Sequence, residues 1–96
     1  MAESRYQRSL IKRLKLLFPD ALILKNDSGY LQGIPDLLIL LGRNWAMLEV
    51  KDSATAPFQP NQEYYLAMLD EMSFAAAIYP ENEEEVTRGL QRALHA

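Results

Sequence analysis

Two short segments of the sequence carry the residue types from which a phosphodiesterase site is built: residues 33–36, Gly-Ile-Pro-Asp, and residues 49–51, Glu-Val-Lys. Together they supply two carboxylates and a lysine. Carboxylate oxygens suit Mg²⁺, which keeps several waters and completes its shell with substrate phosphate oxygens. Such a metal can lower the pKa of a bound water and stabilise transition-state charge, while the lysine orients or deprotonates the attacking water. The two segments therefore predict metal-dependent hydrolysis of a phosphodiester.

The pattern around these segments predicts that the three side chains share one face of a sheet. An apolar run at 37–41 and an alternating segment at 45–51, separated by Gly-Arg-Asn, are typical of an antiparallel hairpin. Strand alternation places Glu49 and Lys51 on the same side. A two-residue Gly-Arg loop puts Asp36 opposite Glu49, and a loop two residues longer puts it opposite Lys51. A loop of odd length would send Asp36 to the other face.

Composition narrows the class of protein. The 96 residues, 49% of them hydrophobic, predict one small globular domain spanning 1–96. There is no cysteine for a disulfide or thiolate zinc site, and the only histidine is His95, which argues against a histidine-based hydrolase. No apolar run approaches the length of a membrane span, and the N-terminal segment is charged. We expect a cytoplasmic protein.

The net charge of −3 is unevenly distributed along the chain. Residues 1–25 hold six basic residues against two acidic ones, whereas residues 63–96 hold seven acidic residues against two basic ones. Any phosphate-binding surface should therefore lie on the first helix and on the loops near the carboxylates. On that helix the candidates form a stripe of Arg5, Arg8, Lys12 and Lys15. Such a stripe is also typical of an ordinary solvated helix face.

Hydrophobic periodicity and turn residues predict the element order αβββαβα. The helices are predicted at 4–18, 61–72 and from residue 82 onward, and the outer strands at 21–25 and 73–79. The inward stripe of the first helix includes Leu17, and that of the second includes Met72. The segment 52–60 lacks a hydrophobic pattern and is predicted to be exposed beside the site. The acidic first turn of the last helix is explained by the helix dipole.

Further site candidates follow from these elements. Extending the inward stripe of the first helix toward the N-terminus reaches Glu3, which could face the metal. Gln62, at the positive end of the second helix, is placed to meet a phosphate or a catalytic water. The polar loop 26–35 is predicted to hold substrate, with Lys25, Ser28 and Tyr30 as candidate nucleic-acid contacts.

The order of elements, with Pro-Asp opening the second strand and Glu-x-Lys ending the third, resembles the PD-(D/E)xK nuclease core. The chain most resembles the VRR-NUC family (virus-type replication-repair nucleases), in particular its stand-alone phage members. This resemblance implies a restriction-endonuclease-like α/β fold, a small mixed sheet flanked by helices. It implies Asp36, Glu49, the Val50 carbonyl and Glu3 as ligands of Mg²⁺ or Mn²⁺, and Lys51 and Gln62 as catalytic groups.

The resemblance also implies a homodimeric, structure-selective DNA endonuclease acting on branched DNA such as four-way junctions, without an organic cofactor. A nuclease-like module that binds DNA or a protein without cutting is the alternative in a different class. A nicking or flap endonuclease is a further alternative. An enzyme that reads sequence is less favoured, because so short a chain leaves little beyond the core for base-edge contacts.

Overall fold

The computed structural model describes residues 3–96, and its elements follow the predicted order αβββαβα. A short 3₁₀ turn at Pro80–Asn82 precedes the last helix. The elements are α1 Arg5–Leu17, β1 Leu22–Lys25, β2 Leu37–Leu41, β3 Asn44–Val50, α2 Gln62–Met72, β4 Phe74–Ile78 and α3 Glu83–Leu94. In the range 3–96, no helix is long and apolar enough to cross a membrane.

The four strands form one mixed sheet in the order β1-β2-β3-β4. The pairs β1/β2 and β2/β3 are antiparallel, whereas β3/β4 is parallel. Parallel neighbours need a crossover connection, and the segment 51–73 with helix α2 provides it. The mixed sheet flanked by helices confirms the predicted fold class.

The β2–β3 hairpin settles the two registers that the sequence left open. Leu41 pairs with Asn44, so the turn is the two-residue Gly42-Arg43 loop. Gly42 has a φ of +59°, a conformation that glycine adopts without a steric penalty. Continuing this register past Leu37 and Leu48, which are partners, places Asp36 opposite Glu49.

One face of the sheet, here called the core face, packs against α1 and α3. Its buried side chains come from alternate positions of the two central strands, as strand geometry requires. The cluster contains Leu10, Leu14 and Phe18 of the α1 region, Leu37, Ile39, Ala46, Leu48 and Ile78 of the sheet, and Val86, Leu90 and Leu94 of α3. Ser4 begins α1, because its Oγ accepts the backbone N–H of Gln7 at 3.0 Å.

Two residues predicted to face the core are exposed. Leu17 lies at the end of α1 and Met72 at the end of α2, and both side chains reach solvent. Phe18, at the C-cap of α1, is buried in place of Leu17.

Helix α1 is joined to α3 by an ion pair that the sequence did not indicate. Arg13 donates from Nε and Nη2 to the two carboxylate oxygens of Glu83, at 2.6 and 2.7 Å, and the Tyr6 hydroxyl donates to the same carboxylate at 2.8 Å. The guanidinium lowers the pKa of Glu83. The first acid of α3 therefore links two helices, in addition to its favourable position at a helix N-terminus.

Candidate active site

The structure brings Asp36 and Glu49 together at one end of the central strands. Asp36 is fixed by the backbone of β3, since Val50 N donates to its Oδ2 at 2.7 Å. Glu49 is only 3% exposed, and its Oε2 accepts a hydrogen bond from Gln62 Nε2 at 2.9 Å. Its other oxygen, Oε1, is buried and has no hydrogen-bond partner among residues 3–96. An orphaned buried carboxylate oxygen is costly unless a ligand satisfies it.

The surroundings of Glu49 disfavour its negative charge. Burial, followed by the neighbouring charge of Asp36, raises the pKa of Glu49 to about 8, and Lys51 offsets this only in part. A divalent cation between the two carboxylates would remove the repulsion and satisfy Oε1. The residues present therefore fit the metal that the motif predicts, with the Val50 carbonyl at the same strand end as a further predicted ligand.

Among residues 3–96, no three His, Cys, Asp or Glu side chains are grouped closely enough to form a metal cage. At this strand end the carboxylates of Asp36 and Glu49 form a pair without a third such side chain from residues 3–96.

Lys51 and Gln62 form a connected network with Glu49. Lys51 Nζ donates to Gln62 Oε1 at 2.6 Å and to the backbone carbonyl of Pro57 at 3.0 Å. It lies 3.7 Å from Glu49 Oε2. The same Gln62 oxygen accepts the backbone N–H of Gln59 at 2.7 Å. Gln62 thus uses its amide oxygen to hold the lysine and its amide nitrogen to hold the glutamate, which fixes the spacing of the two groups.

Segment 52–60 packs over the lysine as well as reaching solvent. Besides the Pro57 carbonyl, the Phe58 ring lies with its centroid 5.1 Å from Lys51 Nζ, within cation–π range. At the other end of the segment, Ala54 N donates to Glu81 Oε2 at 3.4 Å. Much of the segment is exposed, as predicted, but its middle contributes directly to the environment of Lys51.

Local backbone geometry explains how these residues meet. Gly33 has a φ of +94°, and a Cβ there would lie 2.6 Å from the Cβ of Asn61, at the N-cap of α2. Only glycine allows this approach of the loop before Asp36 to the start of α2. On the other side, Asn26 donates from its backbone N to the Asp36 carbonyl at 2.8 Å and from Nδ2 to the Pro35 carbonyl at 2.9 Å.

The carboxylates and Lys51 open into a cleft of about 430 Å³ between α1, the 26–35 loop and the start of α2. Lys25 and Ser28, predicted as nucleic-acid contacts, line it. So do Ser4 and Gln7 of the α1 end, which sequence reasoning did not assign to the site. The signal for Gln7 was its place beside the inward stripe of α1.

Other predicted contacts lie outside this cleft. Arg5, Arg8 and Lys12 are exposed on α1, and Tyr30 is 90% exposed on the loop. They form no part of the cleft lining. Their predicted contact with nucleic acid would require a ligand that extends beyond the carboxylate site.

Glu3 is engaged elsewhere than at the carboxylate pair. Its carboxylate pairs with Arg8 at 3.2 Å and with Lys25, and these contacts lower its pKa. Glu3 does not line the cleft. The first turn of α1 contributes Ser4 and Gln7 to the cleft lining. A metal-binding role for Glu3 stays a prediction.

Comparison with known proteins identifies the fold. No protein-family model and no curated protein matches the sequence. Among solved structures, the chain is similar to one described as a "VRR_NUC domain protein", with a TM-score of 0.70 over 99% of this chain and 89% of that chain. This chain has the VRR_NUC domain fold. At 18% sequence identity, the likeness establishes the architecture and agrees with the resemblance seen in the motifs.

Proposed function

We propose that this protein is a divalent-metal-dependent endodeoxyribonuclease of the VRR-NUC type, within the PD-(D/E)xK superfamily. The observation that carries the proposal is the convergence of Asp36, Glu49 and Lys51 at one strand end, where a buried oxygen of Glu49 has no partner. The VRR_NUC domain fold supports it, because the neighbour shares the architecture over nearly the whole chain.

Asp36, Glu49 and the Val50 carbonyl are the groups proposed to hold Mg²⁺ or Mn²⁺. When bound, the metal would lower the pKa of a coordinated water and stabilise negative charge on the phosphoryl group. Asp36 is held in position by the Val50 N–H, and Glu49 by the Gln62 amide. Both ligands are therefore fixed before any substrate arrives, which reduces the cost of organising the site.

Lys51 is proposed to orient the attacking water and to stabilise charge on the phosphoryl oxygens. Two of its three N–H donors are used by Gln62 Oε1 and the Pro57 carbonyl. Among residues 3–96, no acceptor lies within hydrogen-bond distance of the third donor, since Glu49 Oε2 is 3.7 Å from the Lys51 nitrogen. That donor is available to a water or a phosphoryl oxygen in the cleft, and the two anchored donors prevent the ammonium from swinging away.

Branched DNA, such as a four-way junction, is the proposed substrate. Resolving a junction requires two cuts, and a two-fold dimer matches the approximate symmetry of that substrate. The exposed cations of α1, together with the Lys25 and Ser28 positions at the cleft, are the proposed contacts to the phosphate backbone.

The test is cleavage of labelled linear, flap and four-way DNA with and without Mg²⁺ or Mn²⁺. We expect metal-dependent cleavage, strongest on branched DNA, and its loss in Asp36→Asn. The matched control is Asp20→Asn, the same chemical change at an exposed acid in the turn after α1, which should cut like the wild type. Binding of DNA without cleavage at saturating metal would contradict the proposal and identify a binding module. Cutting confined to flaps or single nicks would contradict junction resolution alone.

A further inference from the structure

Asn26 is a half-buried asparagine in the lining of the cleft, and it is not among the proposed metal ligands, catalytic groups or DNA contacts. It directly follows Lys25, the last residue of β1. Its backbone and side-chain nitrogens donate three hydrogen bonds, to residues 35, 36 and 47. These acceptors lie on the two segments of chain that carry the carboxylates of Asp36 and Glu49.

Two of these bonds hold the peptide groups on either side of the Asp36 Cα. The backbone N–H of Asn26 donates to the Asp36 carbonyl at 2.8 Å, and its Nδ2 donates to the Pro35 carbonyl at 2.9 Å. The Pro35 carbonyl belongs to the peptide group before the Asp36 Cα, and the Asp36 carbonyl belongs to the one after it. Because φ and ψ set the relative orientation of these two groups, holding both limits rotation at Asp36 and fixes the direction of its side chain.

Only the second of these bonds depends on the asparagine side chain. The first continues the pairing of β1 with β2, in which Lys25 is the partner of Leu37, and any residue with a backbone N–H can make it. Pro35 lies before β2 begins and is fully buried, so its carbonyl requires a donor that strand pairing does not supply. The Asn26 amide is such a donor.

The same amide group also contacts β3. Its Nδ2 lies 3.7 Å from the Met47 sulfur, a weak acceptor two residues before Glu49. From β3 the Val50 N–H donates to Asp36 Oδ2 at 2.7 Å. Asp36 is thus held twice, because Asn26 fixes its backbone from the end of β1 and Val50 fixes its carboxylate from β3.

We propose that Asn26 is a positioning residue, whose side-chain amide holds the Asp36 carboxylate where it can share a cation with Glu49. Without the amide, the Pro35 carbonyl loses this donor, and the backbone before Asp36 can rotate away from its place beside β3. Partners that hold metal ligands in place commonly contribute about 10- to 100-fold to metal affinity or activity. This inference rests on the proposed function for the cation, but the placement of Asp36 is a property of the metal-free chain and can be measured there.

The Val50 amide reports the position of the Asp36 carboxylate without any metal. Its N–H donates to Asp36 Oδ2, so its NMR proton shift and its hydrogen-exchange rate depend on that bond. The variants are Asn26→Ala and Asn26→Leu, the second of which keeps the branched shape of asparagine without its donors. In both we expect the Val50 proton shift to change and its exchange to accelerate by about tenfold relative to the Leu48 amide in the middle of β3.

The matched control is Asn44→Leu. Asn44 Nδ2 also donates to a backbone carbonyl, that of Leu94, at 3.0 Å, but Asn44 lies at the start of β3, the opposite end from Glu49. The control therefore removes the same kind of bond away from the site, with a comparable loss of stability. It should leave the shift and the relative exchange rate of the Val50 amide unchanged.

The second readout is metal affinity, measured by titration with Mn²⁺ and EPR detection of the free ion. Both Asn26 variants should raise the Kd for Mn²⁺ by about tenfold or more, whereas Asn44→Leu should leave it unchanged. In cleavage assays the Asn26 variants should need more metal for half-maximal rate and should recover most of the rate at saturating metal. A residue that only stabilised the fold would not separate these two quantities.

A wild-type Val50 amide in both Asn26 variants would overturn the inference, even in a protein that binds metal and cuts DNA. Equal changes in Asn44→Leu would also overturn it, because they would reflect a general loss of stability. So would an unchanged Mn²⁺ affinity in the Asn26 variants, where the wild type binds the ion. If the Val50 amide changes as expected but the wild type binds no Mn²⁺, the positioning of Asp36 is supported and the proposed function is contradicted.

Discussion

Glu49→Gln should stabilise the metal-free protein. The substitution removes a buried charge and keeps the shape of the side chain. The new amide oxygen can accept the hydrogen bond from Gln62 Nε2, and the new amide nitrogen takes the place of Oε1, which has no partner among residues 3–96. An amide N–H can donate to the neighbouring Asp36 carboxylate, whereas the charge of Glu49 repels it. Glutamine has the shape of glutamate but no charge, so it ends the repulsion with Asp36 and can make a hydrogen bond where Oε1 makes none. We therefore expect the free energy of unfolding to rise.

The magnitude follows from the pKa of Glu49. Its pKa is about 8 in the folded protein, against an ordinary value of 4.5. Between these values the folded state holds a proton that the unfolded state has lost, so stability falls as pH rises from 4.5 to 8. At about 1.4 kcal/mol per pH unit, the full cost above pH 8 is up to about 5 kcal/mol. Because structural relaxation and water entry reduce that bound, we expect Glu49→Gln to gain about 2 kcal/mol or more at pH 8.

The assay is urea unfolding in a chelator at about pH 5, 7 and 8.5, which spans the titration. The gain should be small at the lowest pH and largest at the highest. Glu85→Gln, at an exposed acid on α3, is the control and should show no such trend. Added Mn²⁺ should stabilise the wild type, by about 2.7 kcal/mol at a hundred times its Kd, and Glu49→Gln much less. Destabilisation by Glu49→Gln at every pH, or a gain independent of pH, would refute the reasoning.

Other changes test the remaining parts of the structure. Lys51→Ala should lower single-turnover cleavage by about 10²-fold or more while DNA affinity changes little, and a loss confined to affinity would contradict its catalytic role. Glu83→Gln should lower the free energy of unfolding by about 1–2 kcal/mol at neutral pH, because it weakens the ion pair with Arg13 of α1. The control Glu84→Gln removes only an exposed pair with Arg88 and should lower it by less than about 0.5 kcal/mol. The pKa of Glu83 is lowered, so its contribution should be lost as pH falls below the ordinary range for glutamate. Gly33→Ala should cost about 2 kcal/mol or more in a melting experiment and also slow cleavage, because both the positive φ and the contact at the start of α2 disfavour a side chain.

Sequence reasoning reached the fold and the central geometry because both depend on strong local signals. The apolar run of β2, the Gly-Arg-Asn turn residues and the alternation of β3 predict the hairpin, and a turn of even length puts Asp36 on the face of Glu49 in both registers that the sequence allows. The structure then selects the two-residue turn. The first helix, predicted at 4–18 and observed at Arg5–Leu17, depended on equally local signals. Gln62 was placed correctly at the start of α2, where its side chain joins Glu49 to Lys51.

What the sequence could not provide depended on contacts between distant segments. The partners of Glu3 come from α1 and from the end of β1, and no periodicity indicates which cation captures that carboxylate. The bond between Arg13 and Glu83 spans 70 positions, so the acidic turn of α3 could be explained without it. The role of the Pro57 carbonyl depends on how segment 52–60 folds back over the lysine.

In the part of the chain that the structure describes, Glu49 Oε1 is a buried side-chain oxygen that no hydrogen bond satisfies, although its neighbours are well bonded. Gln62 uses both ends of its amide, Asp36 accepts a backbone N–H, and two donors of Lys51 are occupied. Glu49 Oε1, in contrast, is buried with no hydrogen-bond partner among residues 3–96, and the charge of Asp36 lies close to this carboxyl group. Burial and the neighbouring charge of Asp36 raise the pKa of Glu49, so without a cation the fold favours the protonated form. A site selected for stability alone would place an amide at position 49, as the Gln substitution does. Retaining the carboxylate has a physical rationale if a cation is bound there, which makes the pH dependence of stability and its reversal by metal the most direct physical measure of the proposed function.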